Sequence, residues 1–281
     1  WLCLWLNKMG ANVSGLSLNN PVSNPDLYSV LDLEELVEYE RGDITDYKIC
    51  LEILKKTEPE IVFHMAAQPL VRLSYLEPLK TYNTNVLGTA NILEAIRNCE
   101  SVKTIVAITT DKCYENIEKD YAYVETDSMG GFDPYSSSKA CAEHVASAYY
   151  RSFFKDKGIG LATARAGNVI GGGDWSADRL VPDMVRSWSK NEKLFIRYPL
   201  ATRPWQNVLE PLYGYMSLAE HLWKTPIEFS SGWNFGPNQN SVKTVQETVD
   251  LAMQFWGNSS EWETSNGNHL HEQNLLKSRG K

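Results

Sequence analysis

No apolar run in this chain reaches the roughly 18–20 residues needed to cross a bilayer, which excludes a membrane-spanning helix. Cysteine is sparse. Cys3, Cys50, Cys99, Cys113 and Cys141 are odd in number, lie far apart and form no Cys-x-x-Cys pair. Neither a zinc site nor a disulfide framework is indicated, and reduced thiols in a cytoplasmic protein are expected. Positive charge is also short: 27 Lys and Arg face 35 Asp and Glu, for a formal net charge of -8. A nucleic-acid backbone is therefore not the main partner. A nucleotide remains possible, since it needs only a local arginine or a helix N-terminus. His269 and His271 sit two apart in a polar tail without a third ligand, so no metal site is expected. The segment Trp1–Leu6 lacks the basic leader of a signal peptide, and the Asn12 and Asn258 glycosylation-like triplets mean nothing without one. Gly171-Gly-Gly173 lacks the Lys-Ser/Thr that would complete a phosphate loop. No repeat or low-complexity segment occurs.

What is present is an ordinary globular composition, 43% hydrophobic and 22% charged. A helical pattern over residues 1–9 closes at Gly10, which suits a left-handed C-cap. A strand is expected near 12–18, then a loop from Asn19 to Ser29, and another strand at Tyr39-Glu-Arg41. A helix carrying Ile49, Ile53 and Leu54 follows, then a buried strand over 60–67 and a long helix over 80–98. Thr104–Ile108 is a second buried strand, Pro134 opens a helix, and Gly160–Ala164 is the next strand. Strand and helix alternate, and the strands are nearly continuous apolar runs. That pattern predicts an α/β fold, a Rossmann-like doubly wound parallel sheet with helices on both faces. After residue 168 the pattern changes, with helices near 178–190, 208–224 and 242–256. Two regions are expected: 1–168 for the dinucleotide-binding sheet and 169–281 mainly for a smaller substrate lobe.

Ligands of such sheets lie beyond the carboxyl ends of the strands. Asp43, Ala66-Ala67-Gln68, Thr109-Thr110-Asp111-Lys112 and Arg165–Asn168 all fall there. Tyr135-Ser-Ser-Ser-Lys139 places a phenol and an ammonium one turn apart on one helix face. The ammonium is expected to favour the phenolate, turning a group with pKa about 10 into a base. A hydroxyl, a carboxylic acid and an amine at Thr110, Asp111 and Lys112 can supply the other proton transfers.

Three stretches narrow the reading: Ile108-Thr-Thr-Asp-Lys-Cys-Tyr-Glu-Asn116, Arg165-Ala-Gly-Asn-Val-Ile-Gly-Gly-Gly-Asp-Trp175 and Thr202-Arg-Pro-Trp-Gln-Asn-Val-Leu-Glu-Pro211. With them, from Trp1 to about His271, the chain resembles the extended short-chain dehydrogenase/reductases, in the branch that dehydrates nucleotide sugars. The resemblance implies NAD as cofactor, CDP-glucose as substrate and a 4-keto-6-deoxy sugar as product. It implies Thr110, Asp111, Lys112, Tyr135 and Lys139 as catalytic residues. Asp43, Ile44, Ala66, Ala67, Gln68 and Thr109 would line the cofactor bed, joined by Tyr135 and Lys139. Gln68, Asn168, Arg179, Arg203 and Trp205 would meet the substrate. A homodimer pairing through helices near 80–98 and 134–154 is implied too, as is deoxysugar synthesis for surface polysaccharide.

Blander readings stand beside these. Asp43 can equally cap the next helix, Asp111 can cap a turn, and His64 fits a satisfied core position. Lys112 can be a surface lysine and Arg203 part of a plain turn. The first strand and Gly-rich turn of a dinucleotide fold are missing from the sequence, so a fragment that binds NAD poorly is expected. Strand two ends at Ser17-Leu-Asn19 without a carboxylate for the ribose, so NAD over NADP rests on the resemblance. A dTDP- or GDP-sugar dehydratase, a 4-epimerase, or a non-catalytic nucleotide-sugar-binding module are the alternatives.

Overall fold

The architecture comes from a computed structural model that describes residues 1–18, 23–237, 241–257, 260–265, 270 and 277. Asn19, Asn258, His269 and His271 lie outside the described residues. The chain opens with α1 (Leu2–Lys8), and Gly10 takes φ +87°, the left-handed conformation that glycine adopts without steric cost. β1 (Ser14–Ser17) pairs in parallel with β2 (Glu38–Arg41). Between them, part of the expected loop is helical: α2 (Leu27–Val30) is capped by Asp26, whose carboxylate accepts from Ser29 N at 2.9 Å. α3 (Tyr47–Thr57) starts at a second aspartate cap, Asp46.

β3 (Ile61–His64) leads through α4 (Val71–Leu76) and α5 (Pro78–Tyr82) into α6 (Gly88–Arg97), with a π-helical turn at Asn83–Leu87. β4 (Thr104–Ile108) is followed by a 3₁₀ turn at Asp111–Cys113 and by α7 (Pro134–Tyr149). Next come β5 (Gly160–Ala166), β6 (Asn168–Ile170), α8 (Leu180–Trp188), β7 (Leu194–Ile196) and β8 (Thr202–Asn207). α9 (Leu209–Lys224), α10 (Pro226–Phe229), β9 (Gly232–Phe235), β10 (Val242–Thr244), α11 (Val245–Trp256) and β11 (Trp262–Thr264) complete the described elements.

The parallel sheet runs in the order β3-β4-β5-β9. Side chains alternate across it, as a pleated strand requires. Ile105 and Ala107 of β4 join one core with Ile92, Leu93 and Ile96 of α6, while Val106 joins another with Leu212, Leu218 and Leu222 of α9. Ile105, Val106, Leu93 and Leu222 are wholly buried, each side chain contributing about 1.5–3 kcal/mol. Helices therefore cover both faces, which makes this an α/β fold as expected.

One expectation needs correction. β3 is not fully buried: it sits at the end of the sheet order and leaves Ile61 40% exposed. The region after residue 168 contributes to both layers. After β6 the chain returns, packing α9 on the sheet and adding β9 beside β5. A second layer holds β10-β8-β6, a β11–β7 pair and a small core of Met184, Trp188, Leu194, Ile196 and Val249.

Candidate active site

The site is built on the ends of β4 and β5 and on the first turn of α7. Asp133 caps α7 through Ser136 N and Ser136 Oγ at 2.9 and 2.7 Å, and Pro134 fits the first helical position. This fixes Tyr135 in the first turn and Lys139 one turn on. The Lys139 ammonium is buried and donates to the carbonyl of Ile108 at 3.0 Å. Burial pulls its pKa down to about 8 against the opposing pull of Glu143.

Tyr135 is buried, and burial pushes its phenol up to about 12; a hydrogen bond from Thr110 and the charge of Arg179 act the other way. Here the sequence expectation is corrected. Lys139 is turned to the Ile108 carbonyl, so the neighbours that favour the phenolate are Thr110 and Arg179. Thr110 also caps the 3₁₀ turn by accepting from Lys112 N at 3.3 Å.

Asp111 is 1% exposed, and its Oδ2 has no hydrogen-bond partner among the described residues. Burial lifts the carboxyl to about 6, against Lys112, Arg203 and the Thr110 hydrogen bond. Gly167 leaves it room: a Cβ there would stand 2.7 Å from Asp111 Oδ2 and 2.6 Å from Pro204 Cγ. A cavity of about 470 Å³ brings together Thr109–Lys112, Tyr135, Asn168, Arg179, Arg203 and Trp205. Trp205 donates from its indole nitrogen to the Lys243 carbonyl at 3.2 Å. Arg203 is buried and holds the Thr202 carbonyl at 2.8 Å. Arg179 reaches the Pro69 carbonyl at 3.4 Å, and its buried Nε has no partner among the described residues.

The expected cofactor residues Asp43, Ile44, Ala66, Ala67 and Gln68 do not line this cavity. Asp43 accepts from Thr45 N at 2.8 Å, the turn-capping role weighed against a ligand contact. Ile44 is buried against Gly88, where a Cβ would meet its Cδ1 at 2.6 Å. Both ends of the Gln68 amide are occupied by protein: its nitrogen donates to Thr81 Oγ1 and the Leu70 carbonyl, and its oxygen accepts from Leu70 N. Those contacts lock the 66–70 turn. His64 is a satisfied core histidine, 2.9 Å from Thr89 Oγ1. Among the described residues no cluster of metal-ligating side chains occurs.

Several residues near the site escaped the sequence reading. Glu143 lies one turn beyond Lys139 on the same face, at a spacing that could have flagged it. It accepts from Thr163 Oγ1 at 2.6 Å and from Arg165 Nε and Nη2 at 2.9 and 2.8 Å. Thr109 also donates to Glu143, so its hydroxyl is turned inward. Arg165, expected at the ligand rim, is thus a buried structural cation. Tyr215 of α9 lines the cavity, its phenol raised by burial. At the mouth, Asp178 Oδ1 holds Arg72 at 2.7 Å and Arg197 at 3.3 Å.

The profile of the GDP-mannose 4,6-dehydratase family matches residues 1–278. A CDP-glucose 4,6-dehydratase of Salmonella typhimurium is 50% identical over 99% of this chain and 78% of its own length. A CDP-paratose 2-epimerase of Salmonella typhi is 30% identical over 48% of this chain and 43% of its own. Among solved structures, dTDP-glucose 4,6-dehydratase of Bacillus anthracis in complex with NAD superposes with TM-score 0.80 at 20% identity, over 99% of this chain and 83% of that one. The UDP-glucose 4-epimerase of Thermus thermophilus, also with NAD, gives 0.83 at 21% over 99% and 86%. At that identity the two structures establish the shared fold.

Proposed function

Because the chain belongs to the GDP-mannose 4,6-dehydratase family, we propose that it is an NAD-dependent hydro-lyase that converts CDP-glucose to CDP-4-keto-6-deoxyglucose. The observation that carries this reading is Asp111: a buried carboxyl with a raised pKa and an oxygen that has no partner among the described residues, sharing a cavity with Tyr135 and Lys112. A dehydration needs such an acid for its leaving hydroxyl, and an epimerisation does not. The 50% identity to a CDP-glucose 4,6-dehydratase supports the substrate.

The residues present fit the cofactor. Lys139 is a buried ammonium with one hydrogen bond among the described residues, which leaves two N–H donors for ribose hydroxyls. Asp43, Ile44, Ala66 and Ala67 at the ends of β2 and β3 would bound the rest of the bed. Bound there, NAD supplies the hydride acceptor at C4 and the hydride donor at C6.

Tyr135 takes the proton of the C4 hydroxyl, with Thr110 hydrogen-bonded to the same centre. The resulting ketone acidifies C5, whose proton Lys112 helps to remove. Asp111 protonates the departing 6-hydroxyl. Asn168, Arg179, Arg203 and Trp205 hold the nucleotide sugar, the guanidinium forks matching phosphate oxygens.

A homodimer accompanies this reading. Leu76, Leu79, Leu87 and Phe132 are exposed along α4 to α6 and just before α7, an apolar surface that pairing would cover. Sedimentation of Leu79→Glu as a monomer, with the wild type a dimer, is the expected result. The five free thiols are in keeping with a cytoplasmic protein.

The decisive assay incubates the protein with NAD and CDP-glucose and follows the alkali-induced absorbance of a 4-keto-6-deoxy sugar, with dTDP-, GDP- and UDP-sugars alongside. A signal with CDP-glucose alone is expected. Turnover of another sugar replaces the substrate, a C4 epimer makes the protein an epimerase, and CDP binding without chemistry leaves a binding module.

A further inference from the structure

Three arginines from separate segments reach the mouth of the catalytic cavity: Arg72 from α4, Arg179 before α8 and Arg197 after β7. One carboxylate oxygen, Asp178 Oδ1, holds two of them, Arg72 Nη1 at 2.7 Å and Arg197 Nη1 at 3.3 Å. The contact ties α4 to the segment before α8 and to the end of β7, all of which line the cavity. Arg72 makes no other hydrogen bond among the described residues, so most of its planar fork is unused. Asp178 itself sits at φ +60°, a left-handed conformation that only glycine, asparagine and aspartate adopt readily. The partners are 49%, 34% and 26% exposed. Ion pairs this open to water contribute little and exchange readily. A phosphate, with more charge and the spacing for two parallel N–H bonds, outcompetes a single carboxylate oxygen for a guanidinium.

We propose that Asp178 is a stand-in anion: it holds Arg72 ready at the cavity mouth until the diphosphate of the nucleotide sugar takes that guanidinium over. Arg72 is then a substrate-binding residue, and Asp178 sets the affinity of the subsite by competing with its ligand. The inference rests on the nucleotide-sugar reading above and adds to it the residue that reads the diphosphate from α4.

The test measures binding of CDP and of cytidine by calorimetry to wild type, Asp178→Asn, Arg72→Gln and Arg72→Lys. Asparagine keeps the left-handed backbone and an acceptor but removes the charge, so Asp178→Asn isolates the competition. It is expected to bind CDP about threefold or more tighter, because the competing anion is gone. Arg72→Gln is expected to bind CDP about tenfold weaker, and Arg72→Lys to fall between, since lysine keeps the charge and loses the fork. Cytidine affinity stays the same in all four proteins, and kcat with CDP-glucose in Arg72→Gln stays within about twofold while KM rises, the signature of lost uniform binding. Weaker CDP binding by Asp178→Asn, or CDP binding indifferent to Arg72, overturns the proposal. CDP binding that responds to Arg72 without turnover of CDP-glucose would sink the dehydratase reading alone. Turnover with CDP affinity indifferent to Arg72 would sink this inference alone.

Discussion

Replacing Asp111 by asparagine should slow dehydration and make the protein more stable at once. The carboxyl moves from an ordinary value near 3.9 to about 6 because burial opposes its charge, and that net shift already includes the help of Lys112 and Arg203. An acid whose pKa is raised on folding stabilises the fold below its unfolded pKa, and that contribution is lost as pH rises through the folded value. About two units at about 1.4 kcal/mol each puts the ionised carboxylate about 3 kcal/mol above its unfolded reference at pH 8. At pH 4 the same linkage leaves about 0.5 kcal/mol or less. Asparagine has the same shape and no charge, so Asp111→Asn escapes the penalty. Unfolding entropy of about 2.1 cal/mol/K per residue gives about 0.6 kcal/mol/K for this chain, which converts 3 kcal/mol into a Tm rise of about 5 °C at pH 8. Calorimetric scans of both proteins at pH 4, 6 and 8, without ligand, read it directly. Dehydration by the variant should fall by about 10²–10⁴, the range for a lost general acid. An unchanged or lower Tm for Asp111→Asn at pH 8, or a gain equal at all three pH values, refutes the assignment of a strained, buried carboxylate.

The Glu143–Arg165 pair lies at 2.8 Å with both side chains under 5% exposed, so Arg165→Leu alone should cost about 3–5 kcal/mol by stranding Glu143. The double variant with Glu143→Leu should recover most of that in chemical denaturation; a double variant no better than the worse single one contradicts the account. Gly167→Ala should cost about 1–3 kcal/mol and lower kcat, because its Cβ would press the Pro204 ring and the Asp111 carboxylate. Wild-type Tm and turnover would show that the strand gives way without cost. Thr244→Ala removes the capping box of α11, in which Thr244 Oγ1 accepts from Glu247 N and Glu247 accepts from Thr244 N. It should cost about 1 kcal/mol without touching KM, and a change in KM would tie α11 to the substrate.

Local chemistry was legible in the sequence. β4 read as a buried strand because nearly every residue in it is apolar, and Pro134 marked the start of α7. The residues of the site were legible as types at the carboxyl rim, since a parallel sheet brings strand ends together whatever their order. What could not be read was where a polar group points. Lys139 and Tyr135 share a face as expected, yet the ammonium turns to the Ile108 carbonyl. Arg165 looks like a ligand residue in the chain and is held by Glu143, 22 residues earlier. The return of β9 to the sheet depends on pairing with β5 some 70 residues earlier, a long-range choice without a local signal.

The π-helical turn between α5 and α6 has a consequence for recombining this protein with its relatives. The wider turn brings Asn85 inward, where its amide accepts from Gln68 N at 2.7 Å and donates to the Gln68 carbonyl at 3.0 Å and Ser138 Oγ at 2.8 Å. A strand end, a helix hairpin and the helix of Tyr135 are thereby stitched at one residue. Chimeras whose crossovers fall between 68 and 85, or between 85 and 138, inherit the two halves of this stitch from different parents. A single extra or missing residue in the π turn would rotate Asn85 away and leave the Gln68 backbone unpaired. Segments exchanged as one block from 66 to 139 keep the catalytic helix in register.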